Sequence, residues 1–152
     1  MATKVTPKAQ YFDLKTQELL AEGRTTDVIA HTDALTVTAK LYAEGGENAL
    51  HTHTKQDHGF FVVSGQATFF DEHGETTVLG PYQGILLPAG CYYWFQSTGE
   101  GNLVMLRFAG QTDGGPSTGD DRIDYAGQPF PGDHPGNKRG TRVPIPGVFF
   151  GS

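Results

Sequence analysis

Cysteine is nearly absent: Cys91 stands alone among 152 residues, so no internal disulfide can form, which fits a reducing compartment. Basic residues are scarce too. The 11 lysines and arginines are scattered and outnumbered by 17 carboxylates, giving a formal charge of -6. That balance argues against a broad nucleic-acid surface. Hydrophobic residues make up only 37%, and no run approaches membrane-spanning length. Residues 1–20 lack the apolar core of a secretory signal. No stretch carries a convincing helical period, and no glycine run precedes Lys-Ser/Thr at phosphate-loop spacing. These absences lead us to expect a soluble, cytoplasmic protein with no nucleic-acid or membrane partner.

Glycine (21) and proline (9) are abundant, as expected of many short strands joined by tight turns. Residues 34–43 alternate with period two: Leu35, Val37, Ala39 and Leu41 take one face, Thr36, Thr38, Lys40 and Tyr42 the other. Weaker strand signals cover 25–30, 50–53, 58–64, 66–70, 76–79, 85–87, 91–96 and 103–108. The segment 44–48 reads as a turn, and 71–75 as a hairpin loop. Leu14, Leu19 and Leu20 suit a short turn of helix or a segment lying across a sheet. About eight short strands at this spacing predict an all-β antiparallel sandwich or barrel.

The chemistry concentrates in residues 45–65, where His51, His53 and His58 fall close together. His51 and His53 are two apart and leave the same face of a strand. His58 follows a polar break and opens the run Phe60-Phe61-Val62-Val63. A strand, a bend and a returning strand would gather three neutral imidazoles, a set suited to zinc, iron, nickel, cobalt or copper.

After Ala109 periodicity stops. Residues 1–110 read as one domain with lead-in strands; 111–152 read as a linker and a Pro/Gly-rich arm. Its apolar anchors, among them Tyr125, Phe130, Phe149 and Phe150, would pack on the domain or on a neighbouring subunit.

These residues resemble a single-domain cupin over roughly residues 30–108. The first cupin motif runs glycine, five residues, His-x-His, three or four residues, Glu, six residues, Gly. Gly45, His51, His53 and Gly65 match it, with His58 at the glutamate position. Of the second motif Pro88 and Gly90 match, while Tyr82, Tyr93 and Ser97 replace its glycine, histidine and asparagine. The resemblance implies a jelly-roll barrel (an antiparallel double-stranded β-helix) holding one divalent metal, often as a homodimer or larger homo-oligomer. Iron(II) is the expected ion, with Zn, Ni, Co, Mn or Cu as alternatives, and His51, His53 and His58 as its ligands. The expected activity is that of an iron-dependent dioxygenase, an oxidoreductase, on a small aromatic or enolisable substrate. The alternatives are a non-redox zinc-dependent cyclase, isomerase or lyase, and a non-catalytic small-ligand binder.

Tyr93 is the candidate catalytic residue, with two roles open to it: a phenolate fourth ligand, or a phenol that donates to substrate or bound oxygen. Strand phase adds Cys91 and Phe95 beside it, with Phe60, Val62 and Met105 as further pocket wall. Lys40 and Arg107 become anchors for a carboxylate or phenolate if they face inward. Deleting everything after Ala109 is expected to expose an apolar patch and change the assembly; an unchanged mass by size-exclusion chromatography with light scattering would refute this.

Overall fold

The computed structural model describes residues 6–116, 120–131 and 142–152; parts of the expected lead-in, linker and arm (1–5, 117–119, 132–141) lie outside them. Leu14–Thr16 is a single 3-10 turn, capped by Asp13, whose side chain accepts from the Lys15 N–H. The strands follow in chain order: β1 (Glu18–Glu22), β2 (Arg24–His31), β3 (Leu35–Tyr42), β4 (Gly46–His53), β5 (Gln56–Ser64) and β6 (Ala67–Phe70). Then come β7 (Thr76–Leu79), β8 (Gly84–Leu87), β9 (Tyr93–Ser97), β10 (Leu103–Gln111), β11 (Arg122–Asp124) and β12 (Val143–Phe149).

They form two antiparallel five-stranded sheets, ordered β2-β3-β10-β5-β8 and β11-β4-β9-β6-β7, plus the pair β1-β12. The main core lies between the large sheets: Tyr42, Phe60, Val62 and Met105 from one meet Phe69, Tyr93 and Phe95 from the other. A second cluster lies on the opposite face of β3, where Leu20 of β1 packs with Ala39, Leu41 and Val104, joined by Phe150. Phe150 is thus covered, while Phe149 remains 38% exposed.

The jelly-roll barrel is corrected here. Neither large sheet closes on itself; β2 and β8 are the edges of one, β11 and β7 of the other. Closure requires hydrogen-bonded ladders between edge strands, and among the described residues none links these edges. The result is a cupin-like pair of open antiparallel sheets. β11 and β12 carry no clear alternating signal, and β1 falls where the sequence suits either a short turn of helix or a segment lying across a sheet. β4 begins inside the predicted turn, and β9 begins at Tyr93, leaving Cys91 in a turn.

The alternation in β3 reports something different from a wet face and a dry face. From Val37 to Tyr42 every residue is buried. The apolar face meets the second cluster, and the face bearing Thr38, Lys40 and Tyr42 turns into the space between the sheets. No helix among the described residues is long and apolar enough to cross a membrane.

β4 and β9 approach closely at Gly46, where an added Cβ would lie 2.1 Å from the Phe95 carbonyl oxygen and 2.9 Å from the Gln96 Cα. Both obstacles are backbone. Gly46→Ala is therefore expected to destabilise the fold by about 3 kcal/mol and lower the melting temperature by ~6–12 °C. A melting temperature equal to wild type would show that these strands have room for a methyl group.

Candidate functional site

A register irregularity in β4 builds the centre of the site. Glu47 pairs with Phe95 and His51 with Tyr93, so four steps along β4 match two along β9 and the excess bulges. Glu47 and His51 are thereby crowded together, with Glu47 Oε2 3.4 Å from His51 Nε2. From the facing sheet Lys40 reaches across, its Nζ donating to Glu47 Oε1 at 3.0 Å. Lys40 is 1% exposed and Glu47 2%. The ammonium also lies 5.6–5.7 Å from the ring centres of Tyr42, Phe60 and Phe95, within cation–π range.

Two arginines complete the charge. Arg122 of β11 places Nη2 3.5 Å from Glu47 Oε1. Arg107 shares the inward phase of Leu103 and Met105 on β10, and its Nη2 donates to Thr38 Oγ1 at 3.2 Å. Its Nε is buried without a partner, as are Glu47 Oε2 and His51 Nε2. Burial alone would raise the Glu47 carboxyl, but the Lys40 and Arg122 charges overcome it and hold Glu47 well below the usual carboxylate range. Burial brings Lys40 down to about 7 against the opposing pull of Glu47.

The three histidines do come together, in an unexpected arrangement. His51 Nδ1 donates to the Ala49 carbonyl at 2.8 Å. His58 Nε2 meets Gln56 Oε1 at 2.9 Å, and its Nδ1 is buried without a partner. His53 Nδ1 lies 2.7 Å from Asp121 Oδ1, and its Nε2 lies 3.3 Å from the Tyr93 hydroxyl. The His53 and His58 rings stack at 3.7 Å with planes 21° apart. Burial lowers His51 to about 4 and pulls His58 down as well, so both are neutral near pH 7. Burial also keeps the Tyr93 phenol well above its usual range, so it is protonated.

A cavity of about 250 Å³ opens at Tyr93, lined also by Phe69, Ile85, Leu87 and Cys91 and by the carboxylates Asp71 and Glu75. Tyr93 belongs to both places, since its ring centre is 4.5 Å from that of His51. On the other side β11 lies along β4, with Arg122 opposite His53 and Asp124 opposite His51. Phe130 stacks over His51 at 6.3 Å.

Residues 40–108 match the sequence pattern of the cupin domain family. That segment is a cupin domain. Solved structures agree on the fold. An uncharacterised double-stranded β-helix protein from Klebsiella pneumoniae is 17% identical over 72% of this chain and 96% of its own, at a TM-score of 0.60. KdgF from a Halomonas species is 21% identical over 70% and 97%, at 0.57. A cupin superfamily protein from Desulfitobacterium hafniense is 17% identical over 73% and 99%, at 0.56. No curated relative matches the chain.

Cupins often bind divalent metals, so the fit of this cupin's side chains to an ion matters. Among the described residues no group of three or more His, Cys, Asp or Glu side chains is arranged to hold one. The His53 and His58 rings stack on each other, and both His53 nitrogens are engaged, Nδ1 with Asp121 and Nε2 with the Tyr93 hydroxyl. His51 Nε2, Glu47 Oε2 and His58 Nδ1 are each buried without a hydrogen-bond partner, but they are not gathered into a group that holds an ion. The metal-binding, iron and dioxygenase descriptors expected from the sequence are corrected on this ground.

The remaining candidates fall as follows. Phe60, Val62, Phe95 and Met105 are packed in the inter-sheet core. Cys91 is exposed in the turn before β9, at the cavity rim, and burial raises its thiol. Lys40 and Arg107 face inward. Sequence reasoning missed Glu47 by reading 44–48 as a turn, although Glu47, His51 and His53 share one strand phase. Asp121 and Arg122 lie in a stretch with no periodic signal at all.

The buried neutral His51 makes stability pH-dependent. Its folded pKa lies below the unfolded value, so between about 6.5 and about 4 the unfolded chain binds a proton that the folded chain refuses. Stability is expected to fall by about 3 kcal/mol as pH drops through that window. His51→Gln should remove that part of the slope. Equal slopes in urea unfolding of the two proteins between pH 7 and 4 would refute the assignment.

Proposed function

We propose that this cupin binds a small organic anion with an apolar or aromatic body between its sheets. We propose further that it moves a proton on that ligand without redox change, as an isomerase- or lyase-type enzyme. The observation that carries the reading is Arg107, whose Nε is buried without a partner, facing inward with Lys40 and Arg122; those two share Glu47, and Asp120 lies 4.0 Å from Arg122. Burying charge is unfavourable unless it is compensated, and an anionic ligand supplies what Glu47 does not. The aromatic rings around Lys40 and the Phe69, Ile85 and Leu87 wall of the cavity at Tyr93 suit the body of such a ligand. Lys40, brought to about 7, is matched to giving and taking a proton at neutral pH. The unpartnered Glu47 Oε2 and His51 Nε2 offer acceptors for a ligand hydroxyl.

A second reading, binding without turnover, draws on how deeply these groups lie. Both readings are separated by one set of measurements on small 2-oxo acids, hydroxybenzoates and 1,3-diketones, each paired with an uncharged analogue. Acids are expected to raise the melting temperature while their analogues do not, and Lys40→Met and Arg107→Met to weaken binding at least ten-fold, about 1.4 kcal/mol. Turnover predicts that solvent deuterium enters the carbon next to the carbonyl with wild type and not with Lys40→Met. Binding without deuterium entry supports the second reading. Equal binding of acids and neutral analogues would overturn the anion site.

A further inference from the structure

Asp121 lies outside the segment matched by the cupin family, yet it is fastened to the site at several points. Its Oδ2 accepts the Lys55 N–H at 2.8 Å, and its carbonyl accepts the Thr54 N–H at 3.3 Å and the Thr54 hydroxyl at 3.2 Å. Its remaining carboxylate oxygen, Oδ1, meets His53 Nδ1 at 2.7 Å. Both side chains are almost sealed from solvent, at 5% and 6% exposure. A carboxylate only accepts, so the proton between these atoms sits on His53 Nδ1. The opposite tautomer would set a nitrogen lone pair against an anionic oxygen at that distance. In the neutral ring His53 Nε2 is then the acceptor, and the Tyr93 hydroxyl 3.3 Å away is the group that donates to it.

We propose that Asp121 is a positioning residue that sets the direction of an Asp121–His53–Tyr93 hydrogen-bond chain. Tyr93 then spends its proton on His53 and offers a ligand the lone pairs of its oxygen. This is a third role for Tyr93, beside the phenolate ligand and the donating phenol that the sequence leaves open. It deepens the reading of the Tyr93 cavity as a ligand site by selecting ligands with a hydroxyl or other donor at that point, and it rests on that reading only for this consequence.

Asp121→Asn tests the polarity. The Lys55 N–H still demands the one carbonyl oxygen of Asn, which leaves the amide NH₂ facing His53 Nδ1. His53 must then move its proton to Nε2, the wrong-tautomer effect of removing a triad carboxylate. Long-range proton–nitrogen correlation spectra of ¹⁵N-labelled protein, assigned with His53→Gln, read the tautomer directly and require no ligand.

Wild type is expected to carry the proton on Nδ1, and Asp121→Asn on Nε2. Tyr93→Phe should keep the Nδ1 proton and shift the Nε2 resonance as its donor is lost, with Asp121→Glu retaining the wild-type tautomer. An Nε2 proton in wild type, or an unchanged tautomer in Asp121→Asn, would overturn the proposal; an unmoved Nε2 resonance in Tyr93→Phe would remove Tyr93 from the chain. If Asp121→Asn fails to fold, wild type and Tyr93→Phe decide alone. Because no ligand enters, failure here is distinct from failure of the anion site.

Discussion

The Lys40–Glu47 ion pair between the two large sheets is the constraint around which the rest is arranged. Two charges at 1% and 2% exposure lose most of their hydration, and replacing such a pair by apolar residues is often neutral or stabilising. A core of this size does not need them. Their neighbours are consistent with another purpose: Arg107 and Arg122 add cationic charge, three aromatic rings surround the ammonium, and His51 is held neutral beside the carboxylate. Together they make an interior that is tightly packed and electrostatically incomplete.

The segment around β11 extends that logic from the far end of the chain. A strand of three residues adds little to a sheet by itself, but here it borders β4, which carries Glu47, His51 and His53. Arg122 shares Glu47 with Lys40, Asp121 fixes His53, and Phe130 covers His51. The cupin segment supplies the sheets and the imidazoles; these additions decide which charges they face. Low-identity likeness to other cupins accordingly conveys the fold and leaves the chemistry to this chain's own residues.

Much of the fold was legible because alternation and turn chemistry are local. β3, β5, β6 and β10 lie close to where the period-two pattern puts them, since apolar faces and glycine turns constrain the chain without reference to distant partners. β1 and β12 were not legible, because each is a strand only through the other. Barrel closure was inferred from resemblance, and whether edge strands join is a property of the assembled sheets. In the site, the histidines could be singled out and their nearness expected. Their ring orientations could not, because stacking of His53 on His58 follows from Asp121 and Gln56 holding their outer nitrogens.

By itself the sequence determined an antiparallel β protein, a cluster of imidazoles on adjoining strands, and the strand phase that groups Thr38, Lys40 and Tyr42. Local periodicity and residue type suffice for these. Only the tertiary structure decided that this polar face turns inward, that Lys40 meets Glu47, and that Asp121 and Arg122 join them from more than sixty residues away. Burial, ion pairing and tautomer are set by groups that become neighbours only when the sheets pack, and no pattern along the chain encodes them.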